Sequence, residues 1–218
     1  MTTPKPRKPR QSGIRVAKTL PYEDYLTTLF NHHVDVITRT IFLNSTIVDM
    51  EGNESGTDAS MYDYCSKALS LLEQQNAKKP IKIVTANFGG DLYHAFGIYN
   101  RIKLSKCRIV MHGYGPIMSA GSLIFQAGSE RLLAPDATMM LHYAEDTIES
   151  MRDQSRHSRI SEHDRVDKRL REIYIERIAE AGKAVNVKQL HQQIDKTLFL
   201  TAQNAVEMGL ADGIITTA

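Results

Sequence analysis

Twice between residues 81 and 127 an apolar, strand-like run gives way to small residues and then to apolar positions at helical spacing. Residues 81–85 lead into Asn87-Phe88-Gly89-Gly90-Asp91, after which Leu92, Ala95, Phe96, Ile98, Tyr99 and Ile102 recur at the helix period. Residues 107–111 form a second strand, and the small-residue segment Gly115-Pro116-Ile117-Met118-Ser119-Ala120-Gly121-Ser122 opens a helix over 119–127. Two more short strands follow, at 131–133 and 138–141, the second ending at His142. Strand–turn–helix alternation of this kind leaves an α/β layer fold with a largely parallel sheet, in which ligand sites fall at the carboxyl ends of strands.

The flanking segments fit one substantial core for 218 residues. Residues 21–30 predict a short helix or turn, 39–48 a β-branched strand, and 51–60, EGNESGTDAS, a polar loop. Met61, Tyr64, Cys65, Ala68, Leu71 and Leu72 mark an amphipathic helix that lysines and Pro80 terminate. A highly charged helix spans about 145–181. Its first half, ESMRDQSRHSRISEHDR, is too polar to bury a face and projects into solvent or against a partner. Val166, Leu170, Ile173, Tyr174, Ile178 and Ala181 stripe the second half. A short helix through 190–194, a strand-like Leu-Phe-Leu-Thr, a helix over 202–208 and a final apolar run at 210–215 complete the chain.

Composition narrows the function classes. With 42% hydrophobic and 24% charged residues the chain reads as a globular protein, and its net charge of +2 gives no general case for nucleic acid. The basic excess sits in residues 1–20, a proline-rich arm whose first 18 residues hold no acidic residue; it reads as disordered, ahead of a single domain over 21–218. No apolar run nears the roughly 20 residues that span a bilayer, and no signal-peptide core follows the basic start, so a cytoplasmic protein is expected. Cys65 and Cys107 lack CxxC spacing and read as reduced core residues.

Three features converge on chemistry. Taken alone, Ser119 reads as a helix cap, His142 as a hydrogen-bonded strand-end histidine and Gly89-Gly90 as an ordinary strand–helix turn. Together they offer a hydroxyl, an imidazole to activate it, and backbone N–H groups at Gly90 and Ala120 to hold an oxyanion. A metal site is not indicated: His32-His33 and the pair His157 and His163 lack partners at ligand spacing, and the helical pair reads as solvated surface. Phosphate binding at Gly89-Gly90 lacks both a GxGxxG and a GKS/T pattern.

At these residues the chain resembles the ClpP family of serine peptidases. Asn87-Phe88-Gly89-Gly90 is similar to that family's Asn-Ser-Pro-Gly-Gly segment, and Met118-Ser119-Ala120-Gly121 to its nucleophile turn. Ala134-Pro135-Asp136-Ala137-Thr138-Met139-Met140-Leu141-His142 resembles its Leu-Pro-Asn-x-x-x-Met-Ile-His strand. Residues 199–212, FLTAQNAVEMGLAD, resemble its Phe-Leu-Ser-Ala ending, so the likeness runs from about 40 to 215. It implies a ClpP/crotonase-like spiral of repeated ββα units, with the charged helix as a projecting handle between stacked heptameric rings. It implies Ser119 as nucleophile, His142 as base, Gly90 and Ala120 as oxyanion donors, no cofactor in this chain, and a partner AAA+ unfoldase that spends ATP to deliver unfolded polypeptides.

The chain also departs from the family pattern. The family's third catalytic member is an aspartate at the position held here by Thr197. A threonine accepts a hydrogen bond but does not stabilise an imidazolium as a carboxylate does. Asp195, two residues earlier, points to the same side of an extended chain and is the candidate catalytic acid; it is equally explained as half of a ring-contact acid–base pair with Lys196. Asp91 after the glycines opposes an oxyanion if it points inward. A catalytically weak, ClpR-like structural subunit is therefore the alternative, with a crotonase-like thioester enzyme as a weaker third reading.

Overall fold

The computed structural model describes residues 21–45, 56–143 and 153–216. The basic arm, half of the expected 51–60 loop and the beginning of the charged 145–181 segment lie outside the described residues. The elements in order are α1 (Tyr22–His32), β1 (Val34–Asp35), β2 (Thr40–Asn44), α2 (Ala59–Gln75), β3 (Ile81–Asn87), α3 (Leu92–Lys103), β4 (Ile109–Met118) and α4 (Ala120–Phe125). After them come β5 (Glu130–Leu133), β6 (Thr138–Leu141), α5 (Asp153–Glu180), α6 (Val187–Ile194), β7 (Leu198–Thr201), α7 (Ala202–Met208) and β8 (Gly213–Ile214).

The strands join in the order β1-β2-β3-β4-β5-β8, with β6 on β4 and β7 on β6. Pairing is parallel except at β1–β2 and β6–β7, where neighbours run antiparallel. A mixed α/β fold with a mostly parallel sheet is therefore observed. The strand expected at 107–111 is longer than its apolar run suggests. β4 changes partner along its length, pairing β5 over Val110–Gly113 and β6 over Pro116–Met118. Pairing with a second neighbour keeps Pro116, Ile117 and Met118 extended where sequence alone signals a turn.

The core alternates as a half-covered sheet requires: Ile81, Ile83, Thr85 and Asn87 of β3 are buried and the residues between them half-exposed. α2 buries Met61, Cys65, Ala68, Leu69 and Leu72, and α3 buries Ala95, Ile98, Tyr99 and Ile102. Both cysteines are free and buried, and burial pushes the Cys65 thiol up to about 12. The second half of α5 buries Val166, Leu170, Ile173, Tyr174 and Ile178, whereas residues 157–161 are exposed, as the polar first half of the segment predicts.

Two polar clamps tie distant elements. Arg131 of β5, 2% exposed, donates to both carboxylate oxygens of Asp212 and to the carbonyl of Gly209, binding β5 to the turn before β8. Burial alone would push the Asp212 carboxyl up; its bonds to Arg131 outweigh that and hold it below its usual range. On the other side Glu73 of α2 receives two bonds from Arg101 of α3, one from the Ser105 hydroxyl and one from the Lys106 N–H. Arg101 first, then Ser105, outweigh the cost of burial and bring the Glu73 carboxyl down to about 2.

A carboxylate depressed in the folded state contributes stability that is present above its unfolded value and lost as pH falls through its folded one. Glu73→Gln is accordingly expected to lower unfolding free energy at neutral pH by about 2 to 3 kcal/mol. The gap between variant and parent should close as pH drops from about 5 to about 2, as read by urea unfolding at each pH.

Candidate active site

Ser119 sits where β4 ends, at the N-cap of α4, with φ 50° and ψ −127° and no side-chain capping bond. The cap role that serine commonly plays is thus not the one taken here. Its N–H donates to the carbonyl of Met140 at 2.9 Å, which fastens the turn to β6. The register Met118↔Met140 brings the ends of both strands to one place. His142, just past β6, has its Nε2 2.7 Å from Ser119 Oγ. A hydroxyl and an imidazole nitrogen at that separation share a proton, the arrangement a serine needs to become nucleophilic near neutrality.

The double glycine closes the other side. Gly89 and Gly90 have φ of 115° and 136°, a region that L side chains rarely adopt. A Cβ on Gly89 would lie 2.6 Å from Ser119 Cβ and 3.2 Å from Ala120 N, so the turn abuts the serine itself. One on Gly90 would meet Thr57 N at 2.5 Å and Thr57 O at 2.6 Å, where Thr57 bridges to the turn. Buried Asn87 orders the segment: its Oδ1 accepts the Gly89 N–H at 2.7 Å and its Nδ2 donates to the Thr57 hydroxyl. Among the described residues the N–H groups of Gly90 and Ala120 have no acceptor, so both can serve a developing negative charge.

A cavity of about 400 Å³ opens beside the pair, lined by Gly90, Asp91, Leu92, Tyr93, Ser119, Ala120 and His142 and, from α5, by His163, Val166 and Leu170. The structure therefore brings together Ser119, His142, Gly90 and Ala120. Asp195 is not among the residues that line the cavity. That residue is the exposed C-cap of α6, with helical φ −59° and ψ −25°, and makes no side-chain hydrogen bond or ion pair among the described residues. The extended chain that would point Asp195 and Thr197 the same way is absent, because α6 runs up to Ile194 and turns sharply after it. Thr197 directly precedes β7, whose first residue, Leu198, pairs with Leu141 beside His142. It is held at φ 61°, an outlying conformation for a β-branched residue.

Other expectations are sharpened. The Asp91 carboxylate turns toward α3, accepting the His94 N–H at 2.8 Å as its N-cap. His157 is exposed, but His163 is half-buried and faces the cavity rather than forming a solvated pair. Among the described residues no group of three or more histidine, cysteine or acidic side chains is placed to hold a metal. No helix among them is long and apolar enough to cross a membrane. Tyr93, His163, Val166 and Leu170 are site residues that the sequence does not disclose; the last two stand in the apolar stripe of α5 like any core residues.

A serine, a histidine and backbone N–H groups thus meet at strand ends of a mostly parallel α/β sheet. The sequence model of the Clp protease family matches residues 31–218, which includes every element from the end of α1 onward. The chain belongs to that family.

Gly89→Ala is expected to destabilise the fold by about 2 to 4 kcal/mol, since a methyl group must displace Ser119 and the backbone favours glycine. Thermal unfolding measures the loss, and serine-directed labelling at Ser119 should fall with it.

Proposed function

We propose that this chain is a serine endopeptidase subunit of a Clp-type protease. Ser119 Oγ attacks the scissile carbonyl while His142 Nε2 takes its proton. The oxyanion of the tetrahedral intermediate lies against the N–H groups of Gly90 and Ala120, which have no competing acceptor among the described residues. Collapse expels the amine, protonated by the imidazolium, and leaves an acyl-enzyme on Ser119. Water, deprotonated by His142, then releases the acid and restores the serine. The observation that carries this reading is the 2.7 Å contact between His142 Nε2 and Ser119 Oγ beside the double-glycine turn. Membership of the Clp protease family supports the remainder: subunits stacked as heptameric rings, the long helix α5 at the contact between rings, and an AAA+ unfoldase that uses ATP to feed in unfolded polypeptide. No cofactor enters the chemistry of this chain.

A second reading is favoured by one residue. Thr197 holds the sequence position at which the family pattern has its third catalytic member, an aspartate, and loss of such a carboxylate lowers turnover by about four powers of ten in a serine triad. A ClpR-like subunit, structural and weakly active or inactive, would carry this substitution.

Two measurements separate the readings. In the assembled protein a fluorophosphonate probe is expected to label Ser119, and Ser119→Ala to lower peptide turnover by about a thousandfold or more; unlabelled Ser119 with no turnover favours the structural subunit. Thr197→Asp is expected to raise kcat by about tenfold or more, because it puts a carboxylate at the sequence position of the family's third catalytic member and because aspartate tolerates the left-handed backbone better than threonine.

A further inference from the structure

The turn that carries Ser119 is held from within the protein by a buried chain of hydroxyl groups. Its φ of 50° and ψ of −127° belong to a conformation that persists only where the surroundings enforce it. The Ser119 carbonyl receives the Ser122 N–H at 2.9 Å and the Ser122 hydroxyl at 2.6 Å. Behind Ser122, which is wholly buried, lies Tyr174 of α5, 1% exposed, with its phenol oxygen 2.7 Å from Ser122 Oγ.

Counting protons fixes the direction of this chain. The Ser119 carbonyl only accepts, so the single hydroxyl proton of Ser122 is committed to it. Ser122 Oγ is then the acceptor from Tyr174, whose phenol is the terminal donor. Burial pushes that phenol above its ordinary range, so it keeps its proton wherever the protein works. Among the described residues this is the phenol's one hydrogen bond, and phenylalanine would fill the same space without a polar group to satisfy.

We propose that Tyr174 is a positioning residue for the nucleophile: through Ser122 its phenol fixes the backbone turn that aims Ser119 Oγ at His142 and keeps the Ala120 N–H free of internal bonds. The proposal rests on the reading of Ser119 as the nucleophile. It gives α5 a part in the chemistry through a side chain that reaches Ser119 only by way of Ser122. The apolar stripe of the helix sets the depth of the phenol, and the phenol sets the turn.

The test compares the assembled parent with Tyr174→Phe, Ser122→Ala and the double variant. kcat and KM are measured on a fluorogenic peptidyl-coumarin amide, together with the rate of fluorophosphonate labelling and the thermal midpoint. Tyr174→Phe is expected to lower kcat and labelling rate roughly three- to tenfold with KM unchanged. The loss should be the same between about pH 6 and pH 9, because the histidine limb of the profile does not move. Ser122→Ala should lower kcat at least as far, and the double variant no further than Ser122→Ala alone, since both act through one chain. Parental kcat in Tyr174→Phe, whatever its thermal midpoint, overturns the proposal, as does an effect carried by KM alone. So do losses that multiply in the double variant. A folded parent that neither labels nor turns over peptide removes the nucleophile reading, and this proposal with it; an active parent with an indifferent Tyr174→Phe removes only the proposal.

Discussion

One backbone hydrogen bond, from the Ser119 N–H to the Met140 carbonyl, joins the two strands on which the site depends. It continues the parallel pairing of β4 with β6, and β4 reaches β6 only because it leaves β5 partway along. Had β4 stopped where its apolar run stops, the serine would lie on a different layer from the histidine. The exchange of partners brings residues 23 apart in sequence to a shared proton. Parallel strands place chemistry at their carboxyl ends, and here two such ends are brought level by register.

Around that bond the site is assembled from backbone rather than from long side chains. Glycine at 89 lets the turn press against Ser119, Asn87 holds the glycines, and Thr57 closes the far side. Such parts move little, and preorganised donors reach a transition state without first reorienting. The cost appears as residues in sparsely populated conformations at the site, Ser119, Gly89 and Gly90. The packed sheet and helices hold them there.

Much of this was legible in the sequence because strand ends and turns leave local signals. Small residues around Ser119, the glycine pair and a histidine closing an apolar run are each readable from a few neighbours. The length of β4 was not, because its second half is fixed by a partner more than twenty residues away. The backbone at Asp195 was hidden for a similar reason: whether it is extended or helical depends on where α6 ends, and a helix boundary shifts by a residue or two with tertiary contacts. Tyr174 shows the deeper limit. The helical stripe marks its ring as core, but nothing in the spacing tells that its hydroxyl meets Ser122, 52 residues earlier.

The clamp between Arg131 and Asp212 bears on how such a chain comes to be made. A guanidinium 2% exposed needs its partner, because a buried cation left alone is costly. That partner is 81 residues downstream. While the chain is being synthesised, β5 is thus complete long before the carboxylate that lets it be buried has emerged. β5 lies against the same strand β4 that delivers Ser119, so this part of the sheet gains its buried ion pair only after Asp212 has emerged.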